Sequence, residues 1–147
     1  MTPSVIIDSN MTALFFHKNQ CLCDLFDFVF DTGVLKLQTG GSKLIEEYQK
    51  TPSILQVLSA FEQAGLVQSA DREEVDAEEK RLIDEESCAS NDQHIIAIAR
   101  LSNGRVLVSS DQGLCNDFNN PELVSNPRGF VYKNENHFEP MKRRFKL

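Results

Sequence analysis

The chain has 147 residues, of which 41% are hydrophobic and 25% are charged, and this composition is typical of a globular protein. No stretch approaches the roughly 18 consecutive apolar residues of a membrane span, and no basic segment leads into an apolar signal core. We therefore expect one cytoplasmic domain over residues 1–147, with a sizeable core and no membrane partner.

The net charge of −7 is concentrated in one segment, residues 71–86. This segment has nine acidic and three basic residues, whereas the rest of the chain has 13 acidic and 12 basic residues. The remainder is therefore nearly neutral, which is compatible with an anionic partner. The cysteines lack a second closely spaced pair, so we expect reduced thiols rather than a zinc site at Cys21, Cys23, Cys88 and Cys115.

The first quarter of the chain alternates between strand and helix patterns. Residues 4–8 form a short apolar run of β-branched residues, which predicts a buried strand. Apolar residues at helical spacing then predict a helix that ends at Gly33. A second strand is predicted at residues 34–37, followed by two glycines and a helix with Ser42 as its candidate N-cap.

Two further helices follow in the middle of the chain. The first is predicted to begin at Pro52 or Ser53 and to end at Gly65. The acidic segment 71–86 is predicted to be a solvated helix, because it has only a thin apolar stripe, formed by Val75, Leu82 and Ile83.

The last third of the chain contains another helix followed directly by a strand. The helix is predicted over residues 90–102 with Ser90 as N-cap, and the strand over residues 105–110. An edge strand is expected from Phe130, before the basic C-terminal tail at residues 142–147. Strands that alternate with helices predict an α/β fold, a three-layer α/β/α sandwich with a mostly parallel central sheet.

Acidic residues follow two of these strands. Asp8 ends the first strand and Asp111 follows the strand at 105–110, so both are expected at the edge of the sheet where parallel strands bind ligands. Asp92 begins a helix, Asp117 lies six residues after Asp111, and Glu46 or Glu47 adds an acid from another helix. Converging carboxylates repel one another, and Mg²⁺ or Mn²⁺ offsets this repulsion through oxygen ligands. The chemistry indicated is metal-assisted hydrolysis of a phosphodiester.

Several of these residues also have a purely structural interpretation. Asp92 can extend a helix cap, Asp117 can be a turn residue, and Asn10 can either support the site or cap the next helix. The histidines suggest no other chemistry: His17 and His137 are isolated, and we expect His94 to be an exposed residue in the first turn of its helix.

In order and spacing, four segments resemble the PIN-domain family of metal-dependent nucleases: VIIDSN, LIEEY, NDQHIIAIA and VLVSSDQGLCNDF. The resemblance implies a PIN-like sandwich and an endoribonuclease activity with Mg²⁺ or Mn²⁺. It places Asp8, Glu47, Asp92 and Asp111 at the catalytic acidic positions, of which Asp8, Asp92 and Asp111 hold the metal. Asp117 becomes a more variable extra metal ligand, and Asn10 a polar helper.

The substrate implied by this resemblance is RNA, with single-stranded DNA as an alternative. The sequence is also compatible with an antitoxin or another protein as a partner, and with a homodimer. Other readings are a PIN-like module that only binds nucleic acid or protein, and a phosphatase of the haloacid dehalogenase type with Asn10 in place of its second Asp. A phosphoacceptor receiver domain fits less well, because its paired acids and its lysine are missing.

Overall fold

Residues 2–147 are described by a computed structural model, in which five strands form one parallel sheet. The strand order is β3-β2-β1-β4-β5. The strands are β1 (Ser4–Ile7), β2 (Lys36–Gly40), β3 (Val67–Ala70), β4 (Gly104–Val108) and β5 (Phe130–Tyr132). The predicted α/β class with a parallel central sheet is therefore confirmed.

Helices connect the strands and cover both faces of the sheet, as the right-handed crossovers of parallel strands require. They are α1 (Thr12–Phe16), α2 (Cys23–Thr32), α3 (Lys43–Gln49), α4 (Pro52–Gln63), α5 (Arg72–Asp84), α6 (Gln93–Arg100), α7 (Gln112–Asn119) and α8 (Phe138–Phe145). Short 3₁₀ turns lie at Ser9–Met11 and Glu135–His137. Across residues 2–147, every helix is too short or too polar to cross a membrane.

The core lies on both sides of β1 and β4, two of the three interior strands of the sheet. The apolar residues of β1 and β4 are at most 1% exposed, because helices pack on both faces. On one side, α1, α2 and α4 meet through a cluster of aromatic rings, Phe15, Phe16, Phe26 and Phe61. Elsewhere, α5 packs against α6, and α6 contacts β2 and β4.

Two strands differ most from the sequence prediction. β2 begins two residues later than expected, because Lys36 and Leu37 pair with Ser4 and Val5 of β1. Val34, the first residue of the predicted strand, is 46% exposed. β3 was not predicted, because its sequence VQSA has little apolar character and forms an edge strand.

The helices around the acidic segment agree better with the prediction. α5 is the expected solvated helix, and the Asp71 side chain caps it by accepting a hydrogen bond from the Glu74 amide. Its apolar stripe is narrower than predicted, because Ile83 is 48% exposed. The predicted N-cap of α6 is wrong: Asp92 occupies that position, and the Ser90 hydroxyl accepts a hydrogen bond from the Asp92 amide.

The predicted edge strand in the tail is confirmed as β5, which pairs with β4. The basic residues after it belong to α8, which packs on β5. Arg144 of α8 donates to the carbonyls of Arg128 and Gly129, just before β5 begins. The basic end of α8 therefore lies at the amino edge of the sheet, opposite to the edge where the strands end.

Candidate metal centre

The centre of the site lies where β1 and β4 end. From β1 the chain continues to β2 and β3 on one side, and later to β4 and β5 on the other, so the order of strands reverses between β1 and β4. Such a switch point leaves a crevice beyond the carboxyl ends of the two strands. The Asp8 amide donates to the Val108 carbonyl at 2.9 Å, which fixes Asp8 beside the end of β4.

Ser109 connects the two strand-end acids. Its hydroxyl donates a hydrogen bond of 2.8 Å to Asp8 Oδ2 and accepts one of 3.1 Å from the Asp111 amide. Ser109 is fully buried and Asp8 is only 4% exposed. Sequence reasoning missed Ser109, although its position directly after an apolar strand was a usable signal.

Asp111 is both a strand-end acid and the N-cap of α7. Its Oδ1 accepts a hydrogen bond of 2.9 Å from the Leu114 amide. The positive end of the α7 dipole lies beside this carboxylate and stabilises its charge.

Glu47 faces the other acids, and Glu46 does not. The neighbouring residue, Tyr48, is buried and donates its hydroxyl hydrogen bond to the Ile7 carbonyl, which attaches α3 to β1. With Tyr48 inward, Glu47 lies next to α6, where its Oε1 is 2.9 Å from His94 Nε2. Glu46 is exposed and lines a separate cleft of about 350 Å³.

The pKa values show that these carboxylates interact. Burial raises the pKa of Asp8, the Ser109 hydrogen bond lowers it, and the charges of Asp92 and Glu47 raise it further. Burial also raises the pKa of Asp92, which His94 and Lys43 lower and which Asp111 and Glu47 raise. Four segments of the chain thus bring carboxylates together around one crevice.

The donor set has the chemistry of a site for Mg²⁺ or Mn²⁺, because it consists of carboxylate oxygens whose mutual repulsion a hard cation would offset. As the side chains of residues 2–147 stand, no three Asp, Glu, His or Cys residues lie close enough to hold one ion jointly. Ion binding would therefore require the carboxylates to turn toward one another from these positions.

Asp117 and Asn10 are placed differently from these four acids. Asp117 is buried, and its two oxygens accept hydrogen bonds of 2.9 and 3.0 Å from the amides of Ala89 and Ser90. It therefore anchors the loop before α6, and its charge is not among those that shift the pKa of Asp8 or Asp92. Asn10 is exposed in the 3₁₀ turn after β1.

The predicted exposure of His94 is wrong, because this residue is only 2% exposed. All residues from His94 to Ala99 are buried, so α6 has no exposed face over this stretch. The sequence signal was the unbroken apolar run after His94, which is typical of a helix buried all round.

Comparison with known proteins adds no family assignment. No protein-family model matches the chain, and a search of curated proteins finds no match.

Proposed function

We propose that this protein is a metal-dependent nuclease that hydrolyses phosphodiester bonds, with RNA as its substrate. The observation that carries the proposal is the placement of Asp8, Glu47, Asp92 and Asp111 around the switch point between β1 and β4. Acids from four separate segments are costly to gather near a core, and a cation that binds phosphate groups accounts for this arrangement.

Each residue of the cluster has a proposed role. Asp8, Asp92 and Asp111 would hold Mg²⁺ or Mn²⁺. Glu47 would either complete the set of metal ligands or orient the attacking water. The metal would lower the pKa of a bound water and stabilise charge on the phosphate in the transition state. Ser109 would keep Asp8 oriented through its hydrogen bond.

Two lysines near the acids suit an anionic substrate. Burial raises the pKa of Asp92 and of Cys115, and the nearby charges of Lys43 and Lys133, respectively, oppose this rise; Lys133 directly follows β5. Both side chains are exposed near the edge where the strands end, so both are available to phosphate groups. The choice of RNA over DNA rests on the resemblance to the PIN-domain family.

The first experiment compares cleavage of single-stranded RNA and DNA by the purified protein with Mn²⁺ and with EDTA. We expect RNA cleavage that EDTA abolishes and that falls by at least about 100-fold in Asp8→Asn, which replaces a proposed ligand while keeping the size of the side chain. The matched control is Glu46→Gln, which removes an acid that does not face the cluster, and it should cleave like the unmodified protein.

Cleavage by a folded Asp8→Asn protein at the unmodified rate would contradict the proposal. If the protein cleaves neither nucleic acid but hydrolyses a small phosphate monoester, this result would instead favour a phosphatase of the haloacid dehalogenase type. Circular dichroism of each variant separates a loss of activity from a loss of fold.

A further inference from the structure

One buried polar side chain of the crevice has no role so far. His94 lies 2% exposed at the start of the apolar stretch of α6, and Glu47 provides the single hydrogen bond of its ring. The other ring nitrogen, Nδ1, is buried and has no partner within residues 2–147. Burying an imidazole is unfavourable unless a hydrogen bond compensates it, so the contact with Glu47 accounts for the position of the ring.

These contacts place a proton on Nε2. An N–H group at Nε2 donates to Glu47 Oε1, whereas Nδ1 is buried without a partner. A ring with its only proton on Nδ1 would bury an unpaired N–H group and place a lone pair against the carboxylate. The proton on Nε2 is thus assigned from the hydrogen-bond partners of the two nitrogens.

The ring also connects two of the acidic segments. His94 lies two residues after Asp92, the N-cap of α6, whereas Glu47 belongs to α3. Tyr48 already fixes α3 to β1 through the Ile7 carbonyl, so His94 supplies a second restraint on the direction of the Glu47 side chain. Without it, the free Glu47 carboxylate would be drawn toward solvent by hydration.

We propose that His94 is a positioning residue that holds Glu47 in the carboxylate cluster, and this inference rests on the proposed function. Its effect passes through Glu47, since a ring that is 2% exposed does not reach water in the crevice. Hydrogen-bond donors behind metal ligands commonly act in this way, by orienting a ligand before the ion arrives.

The test measures Mn²⁺ affinity of the purified protein without substrate, by electron paramagnetic resonance of free Mn²⁺. His94→Leu removes the donor and keeps an apolar side chain, and we expect it to weaken Mn²⁺ binding about tenfold. His94→Gln, whose amide N–H reaches to about the position of Nε2, should restore most of the affinity. His94→Asn is too short to reach Glu47 and should bind Mn²⁺ as weakly as His94→Leu.

A double-mutant cycle shows whether His94 acts through Glu47. If it does, adding His94→Leu to Glu47→Gln causes little further loss of Mn²⁺ affinity. Equal losses in both backgrounds would overturn the positioning role. A folded His94→Leu protein that binds Mn²⁺ normally would do the same, and if His94→Leu does not fold, equal affinities of His94→Gln and His94→Asn decide against it.

The result also separates this inference from the function on which it rests. If the unmodified protein binds Mn²⁺ and Glu47→Gln weakens binding, then an unchanged His94 variant overturns only the positioning role. If the unmodified protein does not bind Mn²⁺ at all, both the nuclease proposal and the role of His94 fall together.

Discussion

Asp8 shows how a buried acidic residue can oppose the stability of its own fold. The carboxylate is buried beside other acids, so its protonated form is favoured and its pKa is raised in the folded chain. The folded state then binds a proton more tightly than the unfolded state does. Stability therefore falls as the pH rises from the ordinary pKa of 3.8 through the raised value.

This sign leads to a prediction for Asp8→Asn in EDTA. At neutral pH the variant should be more stable than the unmodified protein, because it removes a buried charge and its amide oxygen can still accept from Ser109. The difference should shrink as the pH falls from about 8 through the raised pKa of Asp8, because the unmodified carboxyl then also loses its charge. Urea unfolding across this range measures it, and an Asn variant that is less stable at neutral pH would refute the argument.

At the scale of elements, Asp117 of α7 holds the loop that leads into α6. Its two hydrogen bonds reach 28 and 27 residues back along the chain, to the amides of Ala89 and Ser90. The loop continues directly to Asp92, so α7 indirectly sets where that carboxylate lies. Anchoring explains the burial of Asp117 without a bound ion.

We predict that Asp117→Ala destabilises the metal-free protein by about 2–4 kcal/mol, because the buried amide of Ser90 and the partly buried amide of Ala89 both lose a charged acceptor. Asn116→Ala, at the exposed neighbouring position of the same helix, should change stability much less. Chemical denaturation in EDTA measures both variants. If Asp117 served only as an ion ligand, the metal-free Asp117→Ala protein would keep its stability or gain some.

The elements also show what the sequence could and could not reveal. β1 was predictable because its apolar pattern matches its burial, and α5 because its many charges leave only a thin apolar stripe. Asp8 and Asp111 were predictable because they follow apolar strands. β3 was not predictable, since an edge strand needs few apolar residues. Local patterns signal only that Ser109 follows an apolar strand and that an apolar run follows His94. They do not contain the hydrogen bonds of Ser109 with Asp8 and of His94 with Glu47, which join residues 101 and 47 positions apart.

For the whole molecule, the two ends of the sheet carry different charges. The acids lie at the carboxyl edge with Lys43 and Lys133 nearby, whereas the basic end of α8 lies near the amino edge with Arg143 exposed. A nucleic acid bound at the crevice would therefore contact the lysines rather than α8.

This charge distribution predicts that Lys43→Ala and Lys133→Ala weaken RNA binding to a similar degree for all RNA sequences. Each substitution should reduce the slope of log affinity against log salt concentration by about one. Arg143→Ala removes a positive charge at the opposite edge and should have a smaller effect. Binding titrations of uncleaved RNA in EDTA at several salt concentrations measure all three variants. A larger effect of Arg143→Ala would place the RNA at the amino edge instead.

The pairing of β1 with β4 also determines the point during translation at which the fold can be completed. The Asp8 carboxylate meets Ser109 only after a further 101 residues have been added to the chain. Until then the apolar β1 lacks one of its two neighbouring strands, and a nascent chain exposes it to aggregation or to chaperones. If the protein is the proposed nuclease, this order delays its activity until the ribosome has translated β4 and the acids that follow it.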